Sequence, residues 1–117
     1  MKTISVVVAA LVLILNEVGA HAHAMLDNAI PPVGSAVASA PKEVVLTFNE
    51  KLEPAFSSIE VRGADGAVVS NGKVIAKGTQ MRVPLKALPP GTYTVNWRVL
   101  SVDTHRTQGS FTFRVGQ

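Results

Sequence analysis

Asp103 and His105 stand two residues apart, directly after the most strand-like run of this 117-residue chain. In an extended backbone, residues i and i+2 point to the same side, so this carboxylate and this imidazole could hold one metal ion together. The same residue types are common in solvated loops, and the pair alone is weak evidence for a metal site. Its significance depends on which other ligands the chain can bring to the same place.

The first 22 residues have the features of a secretory signal peptide. Lys2 precedes an apolar run over residues 4–15, which is too short to span a bilayer because a spanning helix needs about 20 residues. Ala20-His21-Ala22 then matches the small-x-small pattern of a cleavage site. We therefore predict a signal peptide over 1–22 and one exported domain over 23–117, with no transmembrane segment in the mature chain.

Cleavage after Ala22 makes His23 the first residue of the mature protein. An N-terminal histidine offers both a free α-amino group and a ring nitrogen to one ion. Cleavage after Ala20 would place His23 third, where the amine, the intervening amides and the ring can also bind Cu(II). Cleavage after Ala24 would remove His23. The sequence leaves these three positions open.

Composition narrows the metal chemistry and the class of partner. The chain has no cysteine, so its fold depends on an apolar core and backbone pairing, and thiolate ligands are excluded. Its net charge is +3, and its basic residues are scattered along the chain. They do not form the clustered basic patch that nucleic-acid binding requires. His23, Asp103 and His105 would together supply nitrogens and one oxygen, the ligands that Cu(II) prefers in tetragonal sites. We therefore predict one Cu(II) ion per chain.

Short runs of alternating apolar and polar residues, separated by turn signals, predict an all-β domain. About seven such strands in a domain of this size indicate an antiparallel β-sandwich of immunoglobulin-like, Greek-key type. The clearest run, from Tyr93 to Val99, places Trp97 in the predicted core. The last run does the same for Phe111 and Phe113.

Two positions predict local details of the sheets. Asp65-Gly66 is a hairpin-turn signal, with Ala67 to Val69 as the returning strand. Pro84, within an alternating run, predicts an edge strand, because proline cannot donate a hydrogen bond to a neighbouring strand.

Four segments of the mature chain resemble the CopC family of periplasmic copper-binding proteins, in the family's order. They are the mature start at His23, Phe48 to Leu52 (FNEKL), Pro90 to Arg98 (PGTYTVNWR) and Ser101 to His105 (SVDTH). The combination of G-T-Y-x-V-x-W-R with S-x-D-x-H is more specific than either motif. The resemblance implies a cupredoxin-like or immunoglobulin-like β-sandwich that binds Cu(II) with very high affinity and serves copper resistance or homeostasis.

The resemblance also implies the role of individual residues. By position, the family's N-terminal histidine falls on His23, and its D-x-H ligands fall on Asp103 and His105. The acidic residue of its F-x-E-x-L segment falls on Glu50, as a supporting residue that would orient a ligand by hydrogen bonding. The implied protein is a carrier without catalytic residues, and its implied partner is an inner-membrane copper permease of the CopD type.

Two features depart from the family pattern. Some members carry a methionine-rich loop for Cu(I), whereas the region between Phe56 and Met81 contains no run of methionines. We therefore predict a Cu(II) site without a separate Cu(I) site. Arg106 stands where the family often has proline, and its charge is expected to weaken the retention of a cation modestly.

Two other functions fit parts of the sequence. Copper held by an N-terminal histidine also drives oxidative attack on polysaccharides in other secreted sandwiches, which are enzymes of the histidine-brace type. Here the single tryptophan and single tyrosine both fall in the core-facing register, which leaves no flat aromatic surface for a substrate. A metal-free immunoglobulin-like accessory module would follow if His23 were not the mature terminus.

Overall fold

The computed structural model describes residues 24–116, which fold into two four-stranded sheets around one apolar core. The strands are β1 Leu26–Ile30, β2 Ala36–Val37, β3 Glu43–Phe48, β4 Ser58–Gly63, β5 Ile75–Lys77, β6 Gln80–Pro84, β7 Gly91–Leu100 and β8 Arg106–Val115. A short 3-10 helix, Pro54–Phe56, follows β3. The predicted all-β sandwich is confirmed, with eight strands in place of about seven. The predicted signal peptide and His23 lie outside the described residues.

One sheet has the strand order β1-β3-β6-β5, and the other has the order β2-β8-β7-β4. Neighbouring strands are antiparallel, except that β2 runs parallel to β8. Consecutive strands share a sheet only in the pairs β5–β6 and β7–β8, so the chain repeatedly crosses between the sheets, as in Greek-key sandwiches. Within residues 24–116, no helix is long and apolar enough to cross a membrane.

The core lies between the sheets because each strand alternates apolar and polar side chains. Leu46 and Phe48 of β3 are buried, and so are Phe111 and Phe113 of β8, as predicted. Burying one such side chain contributes about 1.5–3 kcal/mol. In a chain without cysteine, this burial together with the pairing of the strands holds the domain in shape.

The prediction that Pro84 marks an edge strand is wrong, since β6 lies between β3 and β5. Proline is tolerated there because it is the last residue of β6. β5 pairs only with the stretch from Gln80 to Arg82, so β5 has already ended beside Pro84. The missing N–H therefore breaks no hydrogen bond to β5.

The turn at Asp65-Gly66 is present, but the returning segment is not a regular strand. Gly66 has a φ of +86°, and the N–H of Gly63 donates to the carbonyl of Ala67 at 2.9 Å. After this turn Val68 bridges to β4, whereas Ser70 bridges to Leu85, beyond β6 of the other sheet. The segment crosses between the sheets and cannot extend along either of them.

Trp97, predicted to belong to the core, is partly buried and packs against the core. Its ring meets that of Phe48 edge to face, with centroids 5.0 Å apart. Directly across the β7–β8 pair stands Gly109, and the indole covers the space that a side chain there would occupy. A Cβ atom on Gly109 would come within 2.5 Å of Trp97 Cζ2.

The substitution Gly109→Ala is expected to lower the free energy of unfolding by about 1–3 kcal/mol, because the indole must move out of its packing against Phe48. Urea unfolding measures the loss, and the emission of the single tryptophan should shift to longer wavelength in the folded variant. Ser110→Ala, at an exposed neighbouring position, is the matched control. Equal stability of Gly109→Ala and the control would contradict this account of the packing.

Candidate metal centre

The Asp103–His105 pair lies in the tight loop that joins β7 to β8. The N–H of Thr104 donates to the carbonyl of Ser101 at 2.8 Å, and the N–H of Ser101 donates to that of His105 at 3.0 Å. Thr104 has a φ of +72°, which is unusual for a β-branched residue and is characteristic of strained positions at functional sites. This turn, and not an extended backbone as predicted, brings Asp103 Oδ1 to 3.3 Å from His105 Nδ1.

Ser101 fixes the position of the Asp103 carboxylate. Its side chain is fully buried, and its hydroxyl donates a hydrogen bond to Asp103 Oδ1. The hydroxyl also lies 3.3 Å from the carbonyl oxygen of His105. The Ser101 hydrogen bond is the main reason why the pKa of Asp103 lies below its ordinary value, and the neighbouring His105 lowers that pKa further, although desolvation opposes both. The carboxylate of Asp103 is therefore negatively charged at neutral pH.

Replacing Ser101 with alanine is expected to weaken metal binding by about 10- to 100-fold, the usual effect of losing a group that orients a ligand. The carboxylate of Asp103 would keep its charge but lose its fixed direction, and its pKa should rise toward the ordinary range. Cu(II) titration measures the affinity, and NMR titration of the Asp103 carboxyl follows the pKa. Ser101→Thr, which keeps the hydroxyl, serves as the conservative comparison. An unchanged affinity in Ser101→Ala would show that Ser101 has no orienting role.

The segment that contains Glu50 runs beside this loop. Leu52 and Ser101 form an antiparallel bridge, and the N–H of Val102 donates to the carbonyl of Lys51 at 3.0 Å. Glu50 is half-buried next to these contacts. Among residues 24–116, no group of three or more histidine or acidic side chains is placed to hold a metal ion. The structure thus brings Asp103 and His105 together but does not place Glu50 in one group with them.

The first described residues are fixed beside the same loop. Ala24 is only 1% exposed, and its carbonyl accepts a hydrogen bond of 3.0 Å from Thr107 Oγ1. Asn49 holds Met25 on the other side, since its side-chain oxygen accepts from the Met25 N–H at 2.7 Å and its own N–H donates to the Met25 carbonyl at 3.0 Å. Thr107 stands two residues after His105. The start of the described chain is therefore held next to the Asp103–His105 pair.

Sequence reasoning missed the three residues that build this arrangement. Ser101 and Asn49 lie inside the motif segments, but their types alone do not reveal their contacts. Thr107 carried no signal, because its partner Ala24 is 83 positions away. A polar residue at the end of a strand, in line with an otherwise apolar face, is the pattern that could have pointed to these three residues.

The chain is similar to known proteins over nearly all of its described residues. Residues 26–116 match the CopC domain family. Protein YobA of Escherichia coli strain K12 is 38% identical over 109 residues, covering 88% of this chain and 85% of YobA. Copper resistance protein C of Xanthomonas campestris pv. juglandis is 39% identical over 110 residues, covering 86% of each. The crystal structure of CopC from Methylosinus trichosporium OB3b matches with a TM-score of 0.71 and 35% identity, covering 80% of this chain and 93% of that one.

A further relative is much longer than this chain. Copper transport protein CutJ of Bacillus subtilis is 34% identical over 100 residues. The match covers 82% of this chain but only 18% of CutJ. A domain like this one is therefore a small part of that copper transport protein.

Proposed function

Because the chain belongs to the CopC family of copper-binding proteins, we propose that it is a periplasmic carrier that captures one Cu(II) ion and exchanges it with an inner-membrane transporter. The observation that carries this proposal is the hydrogen bond of 3.0 Å from Thr107 to the carbonyl of Ala24. It holds the residue that follows His23 beside the loop of Asp103 and His105. After cleavage at Ala22, the new terminus would start next to this pair.

The proposed ligands are the α-amino group and ring of His23, the ring of His105 and a carboxylate oxygen of Asp103. His23 directly precedes the anchored Ala24, and consecutive Cα atoms are about 3.8 Å apart. The ligands of His23 would therefore start one residue away from the anchored position. Nitrogen-rich coordination with one carboxylate suits Cu(II), which also has the highest affinity among divalent first-row metals for such ligands. Glu50 is assigned a supporting role, in keeping with its half-buried position next to the loop.

The deciding experiment combines the intact mass of the exported protein with Cu(II) titration followed by electron spin resonance. The expected mass corresponds to a chain that begins at His23, and the expected spectrum is that of one tetragonal, nitrogen-rich Cu(II) per chain. A mature chain that begins at Met25, or a spectrum without nitrogen coupling, would refute the proposed site.

Copper affinity is expected to fall progressively below about pH 6, because an imidazole must lose its proton before it can bind the ion. Asp103 does not set this limit, since its pKa lies below its ordinary value and its carboxylate stays charged as the ring becomes protonated. Competitive titration at several pH values measures the trend. A constant affinity from about pH 7 to about pH 4 would contradict imidazole ligands.

A membrane transporter of the CopD type is the proposed partner. CutJ supports this proposal, because the segment of CutJ that matches this chain is part of a larger protein that is named for copper transport. The runner-up function, a copper oxidase of the histidine-brace type, is less well supported. Tyr93 is buried and its hydroxyl donates to the carbonyl of Pro89, and Trp97 is partly buried against Phe48, so the two rings do not form an extended flat platform for a polysaccharide.

A further inference from the structure

Two arginines near the Asp103–His105 loop have no acidic partner within the described part of the chain. Of the five arginines there, Arg62 and Arg82 each bind a glutamate, at 2.8 and 3.4 Å. Arg98 and Arg106 form no ion pair within residues 24–116, although they lie at the same end of the β7–β8 hairpin. Two neighbouring cations without a counter-charge repel each other, which makes an external anionic partner favourable.

Both guanidinium groups line one cavity of about 300 Å³ together with Phe56, whose side chain is 60% exposed. Val99, Thr107 and Gln108 complete the lining, and no acidic residue belongs to it. Arg106 is exposed, whereas its neighbours His105 and Thr107 are half-buried. Arg106 is the first residue of β8, so it lies directly after the Asp103–His105 loop at the end of the hairpin where this cavity opens.

We propose that this cavity is the docking site for an acidic protein segment that also carries an apolar side chain. The inference rests on the carrier function proposed above, and the segment belongs to the protein that exchanges copper with this chain. Arginine binds carboxylates through two parallel hydrogen bonds, and arginine and aromatic residues dominate the binding energy of protein interfaces. Phe56 offers the apolar contact in the same cavity.

The shape and position of the cavity favour a chain segment over a single ion or a flat lipid surface. A larger depression of about 640 Å³ shares Arg98 and Gln108 with the cavity and also contains Glu60, whose charge is paired with Arg62, so several consecutive residues of a partner fit along the sheet. Thr107 lines the cavity and also holds the carbonyl of Ala24. A segment bound there lies directly beside the metal ligands, where copper exchange requires it.

The test uses the mature, Cu(II)-loaded protein and the proposed CopD-type transporter reconstituted in phosphatidylcholine vesicles, with co-sedimentation as the readout. Reversing both charges, in Arg98→Glu/Arg106→Glu, should weaken vesicle binding at least about tenfold, and Phe56→Ser should weaken it several-fold. Arg114→Glu is the matched control, because Arg114 is exposed at the far end of β8 and lines a different cavity. Thermal stability, measured on the same samples, should be unchanged in all variants. Cu(II) affinity should not fall in any of them, because removing the positive charge of Arg106 beside His105 favours retention of a cation.

The outcomes separate this proposal from the carrier function. Loss of binding in the double variant but not in Arg114→Glu supports the docking site. Equal loss in both variants, undiminished binding of the double variant, or no binding of the wild-type protein to transporter vesicles overturns it. Binding to transporter-free vesicles that contain phosphatidylglycerol, at the same affinity, would assign the arginines to a lipid surface and also overturn it. Failure of the carrier function would instead show as absent Cu(II) binding.

Discussion

The mature chain with His23→Ala will bind Cu(II) at least about 100-fold more weakly than the wild-type chain. Loss of a group that only orients a ligand already costs up to about 100-fold in metal affinity, and loss of the ligand itself should cost at least as much. The substitution removes the ring nitrogen that closes a chelate with the α-amino group of the same residue. Ala24 should stay bound to Thr107, and the proposed site would then keep the α-amino group but lose the ring that chelates with it. Competition with a chromophoric chelator measures the affinity.

The control and a second modification make this result specific. Met25→Ala changes an exposed side chain near the same terminus and should leave the Cu(II) affinity unchanged. Acetylation of the α-amino group keeps the ring of His23 and removes only the amine, so it should also weaken binding and change the electron spin resonance spectrum. If His23→Ala bound Cu(II) as tightly as the wild type, the terminus would not be part of the site.

His105→Ala will reduce Cu(II) affinity by a similar factor, at least about 100-fold, while the apo-protein keeps its stability. The side chain of His105 is 44% exposed, so its loss creates no cavity in the core, and the loop keeps its backbone bonds from Ser101 and Thr104. Thermal unfolding with and without Cu(II) separates these effects, because a ligand stabilises the folded state only in proportion to its affinity. The wild type should be stabilised by the metal far more than the variant.

Asn71→Ala, at an exposed loop position, is the control for His105→Ala. It removes a polar side chain, while its backbone N–H still donates to the carbonyl of Pro84. An identical Cu(II)-induced shift of the unfolding temperature in His105→Ala and Asn71→Ala would contradict a ligand role for His105. A large loss of stability in apo His105→Ala would instead indicate a structural role.

The fold class could be predicted from the sequence because strand alternation is a local property. The burial of Phe111 and Phe113 on one face of β8 follows from their spacing of two residues. Pro84 shows the limit of such reasoning. Whether a strand lies at an edge depends on which strands pair with it, and β5 ends beside the proline, a fact that no local pattern contains.

The candidate site divides in the same way. The sequence by itself determined the residue types of the candidate site: a D-x-H pair after the clearest alternating run and a histidine at a predicted signal-peptide cleavage site. Only the tertiary structure decided how Asp103 and His105 meet, since their contact depends on the left-handed backbone of Thr104 and on the buried hydroxyl of Ser101. The direction in which a side chain of a turn points depends on the hydrogen bonds within that turn, and the spacing of residues in the sequence does not specify these bonds.

The tertiary structure also decided what surrounds the pair. Thr107 holds Ala24 across 83 positions of sequence, and Arg98 and Arg106 reach one cavity because β7 and β8 pair in register. Contacts between residues so far apart in the chain arise only when the strands pair and the sheets pack. For this reason the ligands of the proposed copper site could be predicted from the sequence, whereas the anchoring of the terminus and the cationic cavity beside it could not.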